Sequence, residues 1–383
     1  MRRTGRTGSS FRPNRIICKE KGKQYMKKEL IFVINPGSTS TKVALYDAEN
    51  LKDELELKHS AEELKSFGRI NDQLAFRQSA VEDYLKKQGV QLSDLAAVAT
   101  RAGVVGQLEP GAYLIDETFA DRSLHSQTPH PANLAPVIGY TLAKNAGIRA
   151  YAYDAVCGCG VPDKMYTITG VPELERAFLT HVLNSRAVSI AQAKKDGRKL
   201  EESTYIVTHL GGGITTNLVY HGRILDFVGD DEGGLSPERS GGVPVRPLVK
   251  LCYSGKFTEK EMQSKLKGKG GILAYLGTND IREVEQRIDA GDEYARLIFE
   301  TMAMQIARDI GSLAPDVCGR IDKIILTGGI ARSVRFTDLL KERVSFLAPV
   351  AVIPGAFEME ALAGGVLRVL RGEEQVHVLK PEE

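Results

Sequence analysis

One plan appears twice in this chain, and it limits the fold more than any other feature. The segments "ELIFVINPGSTSTKVALYD" and, half a chain later, "STYIVTHLGGGITTNLVYHGRIL" each run an apolar strand into a turn of small residues and out along a second strand. Gly37 stands five residues ahead of Lys42, which half-matches a P-loop. That loop also needs a glycine just before the lysine, a hydroxyl residue just after it and a helix starting there. Thr41, Val43 and the β-branched "KVALYD" offer a strand instead, so Pro36-Gly37-Ser38 reads as a hairpin turn. The repeated plan predicts an internal duplication, with two domains facing one another across a cleft.

Size agrees, since 383 residues at 42% hydrophobic content exceed one compact core. No apolar run approaches the roughly 18 residues of a membrane span, so a soluble protein is expected. Ten of the 51 Lys and Arg, but one of the 49 acids, fall within residues 1–28, which leaves a mildly acidic body. Residues 1–25 read as a basic, unstructured leader, with a nucleic-acid-binding arm or an organelle-targeting peptide as alternatives. "MKKELIFVINPG" from Met26 reads as the beginning of a cytoplasmic protein. The five cysteines (Cys18, Cys157, Cys159, Cys252 and Cys318) are too few and scattered for a disulfide framework, and Cys157 with Cys159 lacks the partner pair of a zinc site.

Helical spacing in "FGRINDQLAFRQSAVEDYLKKQG" and "HPANLAPVIGYTLAKNAG", the latter running into the strand-like "RAYAYDAV", predicts an α/β fold. A third glycine turn, in "IDKIILTGGIARS", takes a strand through Gly328-Gly329 into a helix, while Ile298, Met302, Ile306, Ile310 and Leu313 form a core stripe. Three such turns suit a nucleotide in the cleft, its phosphates gripped by turn amides and small hydroxyls. Ser38, Thr39, Ser40, Thr41 and Lys42 beside the first turn, and His209 beside the second, are donors that a plain hairpin does not require.

Eight ordered blocks carry a resemblance: "VINPGSTSTKVALYD", "ATRAGVVG", "TPHPANLAPVIGY", "YDAVCGCGVPD", "VTHLGGGI", "GDDEGGLSPERSGGVPVRPLVKLCYSG", "ILTGGIARS" and "IPGAFEMEALAGG". From about Met26 to Arg371 the chain resembles the acetate and butyrate kinase family. The resemblance implies a two-domain actin/Hsp70-like (ribonuclease H-like) α/β fold with duplicated mixed sheets. Residues 26–180 plus 357–383 would form a discontinuous first domain, and 181–356 a nucleotide-binding second one. It also implies transfer of the terminal phosphoryl of ATP to a short carboxylate, butyrate or isobutyrate, giving an acyl phosphate and ADP reversibly. Implied nucleotide contacts are Asn35, Gly37, Ser38, Ser40 and Lys42 at the first hairpin, His209, Gly211, Gly212 and Gly213 at the second, and Gly328, Gly329 and Ile330 around adenosine. Arg101, Asp154, His209 and Arg239 are the implied catalytic residues, with Arg101, His130 and Arg239 on the substrate and Asn35 with Glu358 at magnesium. A homodimer or higher homo-oligomer is implied as well, without nucleic acid or membrane.

Charge explains why such residues are needed. A short carboxylic acid is already an anion at neutral pH, so the barrier is repulsion between two anions rather than lack of a base. Arginines, with forks that bind two oxygens, and magnesium answer that difficulty. "AFLTHVLNSRAV" departs from the histidine-rich acetate kinase segment, and His181 is left out of the expected site. Small Ala155 and Gly158 after Asp154 are expected to leave room for a longer acyl chain. Two buried methylenes at about 0.8 kcal/mol each give a preference of roughly fifteenfold over acetate. Alternatives are an acetate- or propionate-preferring kinase of the same family, a kinase acting on a hydroxyl substrate with Asp154 as base, and a nucleotide-switched actin- or Hsp70-like binding protein.

Overall fold

The computed structural model describes residues 29–380; the expected leader and Cys18 lie outside them. β1 (Leu30–Pro36), β2 (Ser40–Asp47) and β3 (Asn50–Lys58) form an antiparallel meander. β4 (Ala97–Thr100) and β6 (Arg149–Tyr153) extend it in parallel with β1, and β5 (Ala112–Leu114) adds antiparallel to β6. The second sheet begins with the meander β7 (Thr204–Leu210), β8 (Ile214–Tyr220), β9 (Arg223–Val228). It continues with β10 (Lys323–Gly328) and β11 (Val350–Pro354), both parallel to β7. Near the far end of the chain β12 (Val376–Val378) returns to the first sheet beside β5.

Without the edge strands β5 and β12 the two sheets read alike, β3-β2-β1-β4-β6 and β9-β8-β7-β10-β11. The duplication is therefore one of topology. Each copy puts the carboxyl ends of three parallel strands along one edge, the place where α/β sheets collect ligands.

Helices cover both faces. On β1, Phe32 and Ile34 enter one core with Leu134 and Ile138 of α2 (Leu134–Ala146), which follows α1 (Leu74–Lys87). Their neighbours Ile31 and Val33 point the other way, as strand periodicity demands. There they meet Met359, Leu362 and Val366 of a late helix. The second sheet is flanked by α3 (Val182–Lys195) and by α4 (Glu293–Ser312), whose expected stripe is buried, with α5 (Val334–Val344) packed on α4. The late helix is α6 (Glu358–Arg371); it packs on β1, β4 and β6 and also touches α3, so the sheets are joined through an α3–α6 contact. Among the described residues no helix is long and apolar enough to cross a membrane.

In α6 a Cβ at Gly365 would sit 2.4 Å from the Tyr153 ring, whereas at Gly364 it would meet only the end of Arg368 at 3.7 Å. Gly365→Ala should destabilise the protein by about 1–3 kcal/mol through overpacking. Gly364→Ala should stabilise it by up to about 1 kcal/mol through helix propensity; urea unfolding of both variants reads the opposite signs. The loop 229–242 is tied to α4 by the Gly234 N–H donating to Asp309 Oδ2 at 2.7 Å and the Leu235 N–H donating to Gln305 Oε1 at 2.9 Å. Burial pushes the Asp309 carboxyl up to about 6, against the Gly234 hydrogen bond. A raised native pKa means the native state holds the proton longer than the unfolded chain, so this group's stabilising contribution is lost as pH rises from about 4 to about 6. Asp309→Asn, neutral throughout and still able to accept the Gly234 N–H, should remove that part of the slope. Parallel wild-type and variant stability curves from pH 4 to 7 would refute it.

Candidate active site

Three residues from distant parts of the chain meet at the edge of the first sheet. Asn35 is the penultimate residue of β1, Arg101 follows β4 directly, and Glu358 opens α6. Asn35 Nδ2 donates to Glu358 Oε2 at 2.7 Å and Arg101 Nη1 pairs with Glu358 Oε1 at 2.8 Å. Burial pushes the Glu358 carboxyl up, but the Arg101 charge and the Asn35 amide hold it below the usual range. Arg101 Nε is buried without an acceptor among the described residues, an orphaned donor of the kind a bound anion satisfies.

Asp154 follows β6 as expected, but its carboxylate does not open toward a substrate. It is 2% exposed. Oδ1 accepts the Gly111 N–H at 2.8 Å and is ion-paired with Arg186 of α3, a residue the sequence reading did not select. Oδ1 thus belongs to a buried pair that pins the end of β6 to α3, while Oδ2 is buried without a hydrogen-bond partner among the described residues.

The first hairpin turns tightly, the Gly37 N–H donating to Ser40 O at 2.8 Å. Ser38 is exposed at its tip, Ser40 Oγ donates to Glu56, and Lys42 sits exposed on β2 opposite Asn35. Behind the turn lies Arg77 of α1, fully buried. It donates to Ser40 O and Thr41 Oγ1 through Nη1, to Ser38 O through Nη2 and to Gln73 through Nε. No carboxylate among the described residues pairs with it, so a fixed positive charge backs this loop.

At the second sheet His209 takes the position in β7 that Asn35 takes in β1. It stacks on His181, centroids 4.3 Å apart and planes within 14°. Burial brings the His209 ring to about 4, with Glu358 opposing and Arg101 assisting; His181 is held well below its usual value by burial, His209, Arg101, Arg239 and Lys267. Both rings are uncharged at neutral pH. His130 is likewise brought down to about 4 by burial, Arg101 and Lys267; its Nδ1 accepts the Ala132 N–H, leaving the proton on Nε2. His181, excluded by the sequence reading, thus belongs to the cluster.

The glycines of "HLGGG" are needed because the loop 229–242 lies against them. A Cβ at Gly212 would come 3.2 Å from Glu238 Oε2, and one at Gly213 3.1 Å from Asp230 Oδ2 and 3.6 Å from Arg239 Nε. Arg239 Nε donates to Asp230 at 3.0 Å, and Arg239 bridges backbone to backbone with Lys267. Beyond Gly211 and Gly212 opens a cavity of about 660 Å³, lined also by Glu238, Asn279, Gly329 and Ile330, a size suited to a nucleoside. Gly329 faces open space, but Gly328, at φ 91°, has its Cβ position filled by the Leu210 backbone at 2.4 Å. This close approach of the Leu210 backbone is what requires a glycine at position 328.

Ala155 and Gly158 do not line a substrate pocket either. Ala155 is packed in the core with Cys157, and a Cβ on Gly158 would strike Ala155 O at 2.9 Å. Enlarging them would break the turn after Asp154 rather than shorten an acyl site.

Residues 159–347 match the Acetokinase family. The chain is 42% identical over 346 residues to probable butyrate kinase 2 of Caldanaerobacter subterraneus subsp. tengcongensis, covering 90% of this chain and 98% of that one. It is 39% identical over 353 residues to butyrate kinase 1 of Clostridium acetobutylicum, covering 91% and 99%. Among solved structures, the acetate kinase of Porphyromonas gingivalis superposes with a TM-score of 0.72 at 18% identity, over 89% of this chain and 99% of that one. The fold is thus that of the acetate kinases, within the actin/Hsp70-like group. With relatives this similar along nine tenths of its length, the chain belongs to the acetokinase family.

Proposed function

We propose that the protein is a cytoplasmic kinase that transfers the terminal phosphoryl group of ATP to butyrate or isobutyrate, giving an acyl phosphate and ADP, and that it also runs in reverse. One observation carries the reading: two uncharged histidines are stacked, His181 within the field of Arg101, Arg239 and Lys267 and His209 within that of Arg101. Such a site concentrates fixed positive charge and neutral N–H donors where two anions must meet. The names of the relatives at 42% and 39% identity supply the substrate class.

In this reading the nucleoside occupies the cavity beside Gly329 and Ile330, and the phosphates run past both glycine hairpins. Arg101, through its unpaired Nε, and Arg239 hold the carboxylate and the moving phosphoryl; neutral His209 and His130 donate without taking a proton away. Asn35 Oδ1 and the Glu358 carboxylate are hard oxygen donors, few in number, which suits magnesium, an ion that keeps several waters and binds phosphates alongside one or two protein groups. When bound, magnesium neutralises charge on the phosphates. A hydroxyl substrate would need a reachable base, and Asp154 is sealed against Arg186.

Residues 26–180 with 357–383 and residues 181–356 are the two lobes of this proposal, closing on the nucleotide. A homodimer is part of it: the helix Val245–Cys252 has no buried residue, and Val245 and Tyr253 are 71% and 89% exposed. Sedimentation should show a dimer that Val245→Glu weakens; a wild-type monomer at micromolar concentration would remove that part.

The central test traps acyl phosphate as hydroxamate with ATP, magnesium and butyrate. Product should form, and Arg101→Ala or Arg239→Ala should each lower kcat by about 10²–10³-fold. Absence of product with every short acid would overturn the proposal. Comparing kcat/KM across acetate, propionate, butyrate and isobutyrate decides the finer point, with a preference for the four-carbon acids on the order of tenfold expected.

A further inference from the structure

Asn184 is a buried side chain on the first turn of α3, in a segment without any glycine turn or arginine motif. Its two ends are chemically distinguished by their partners. Oδ1 accepts the backbone N–H of Phe357 at 2.9 Å, the residue just ahead of Glu358. Nδ2 faces Nδ1 of His209 at 2.9 Å and Oγ1 of Thr327 at 3.3 Å. Thr327 sits directly ahead of Gly328 in β10, is paired with His209 across the sheet, and sends its own hydroxyl proton to Gly355 O at 3.1 Å. A flipped amide would set N–H against the Phe357 N–H, so the network fixes Asn184 in one orientation.

That orientation decides where the His209 proton lies. An amide nitrogen can only donate, so Nδ1 of His209 must accept, and the ring proton is on Nε2. Nε2 is the atom turned to the glycine hairpin: a Cβ on Gly211 would stand 3.2 Å from it. The charged groups acting on this ring are Glu358 and Arg101, and His181 is stacked on its face.

We propose that Asn184 is a positioning residue of the phosphoryl-transfer site, which holds the His209 proton on Nε2, toward the phosphates, and ties that ring to both Thr327 and the start of α6. The proposal rests on the kinase reading for its purpose but not for its geometry. One amide thereby sets three parts of the site together: the donor on the second hairpin, the strand entering the adenosine turn, and the backbone next to Glu358. A neutral imidazole can present either a donor or a lone pair to a phosphate. Only the donor favours transfer, and nothing in the ring itself makes the choice.

The experiment begins with the unmodified protein, labelled with ¹⁵N-histidine, the His209 signals being identified by their loss in His209→Asn. Wild-type His209 should show a protonated Nε2 and an unprotonated Nδ1 with no ligand added. Asn184→Asp reverses the polarity, since its carboxylate can only accept a hydrogen bond and so favours the tautomer with the proton on Nδ1. In that variant the Nδ1 signal should become that of a protonated nitrogen, and kcat should fall by about a hundredfold with little change in KM for butyrate. Asn184→Ala should leave the ring in a mixture of tautomers with an intermediate loss. A wild-type ring protonated on Nδ1 would overturn the proposal, whether or not the variants fold. So would a folded Asn184→Asp protein with moved signals and undiminished kcat. Failure of hydroxamate formation in the wild type would instead remove the kinase reading and leave the tautomer result standing.

Discussion

The linkage Asn35–Glu358–Arg101 joins the end of β1, the end of β4 and the first turn of a helix more than 250 residues further on. A half-buried guanidinium and carboxylate compensate one another, and removing one of such a pair costs about 3–5 kcal/mol because the other is left buried alone. That cost fixes the start of α6. The helix then packs along β1, β4 and β6, Tyr153 pressed on Gly365, and reaches α3 on the second sheet. Glu358 is also well placed electrostatically at a helix N-terminus. The same pair leaves Arg101 Nε unsatisfied, so an interaction that stabilises the resting fold also prepares one donor for an anion.

Each cation near the cleft is held by a different device, and the differences have consequences. Arg239 shares its Nε with Asp230, a carboxylate that holds the side chain in place and competes with an incoming anion. Arg77 has no such competitor among the described residues; three acceptors on the first hairpin and Gln73, just ahead of α1, satisfy its hydrogen bonds while its charge remains uncompensated. A buried charge without a counter-ion is costly unless something neutralises it. Phosphate on the outer side of the Gly37–Ser40 turn would do so, and the turn carbonyls, drawn inward by Arg77, would no longer repel it. Arg186 spends its charge on Asp154 and has none left for a substrate.

What could be read along the sequence was local chemistry. Strand periodicity on both sides of Pro36-Gly37-Ser38 ruled out a P-loop, and the structure has β2 where a P-loop would begin its helix. The paired meanders and the core stripe of α4 were legible from the residue pattern, and Asn35, Arg101 and Glu358 were selected by the family resemblance. Asn184, Arg186 and Arg77 were not. Asn184 meets Phe357 across 173 residues, and Arg77 reaches Ser38 across 39, so their spacing carries no signal. His181 was dismissed because its neighbours lacked histidines, whereas its place is set by stacking on a strand residue that enters 28 positions later. Ala155 and Gly158 misled for a related reason: small residues imply space only when their Cβ directions are known, and here both face packed backbone or core.

Topological equivalence makes the chemical difference between the two hairpins informative. Asn35 and His209 occupy the same penultimate position of the first meander strand in each copy, and each is followed by a glycine-containing turn. In the first copy the position holds an amide whose Nδ2 is spent on Glu358, leaving an oxygen, and the turn is backed by the charge of Arg77. In the second it holds an imidazole kept neutral, and the cation lies in front, on the loop packed against Gly213. An oxygen with a carboxylate beside it suits a metal ion, while a neutral N–H donor beside arginines suits a phosphoryl oxygen. Duplication of one scaffold therefore sets chemically different groups at equivalent strand ends, and the proposed kinase would use the difference: oxygen donors for magnesium at one hairpin, N–H donors for the moving phosphoryl at the other.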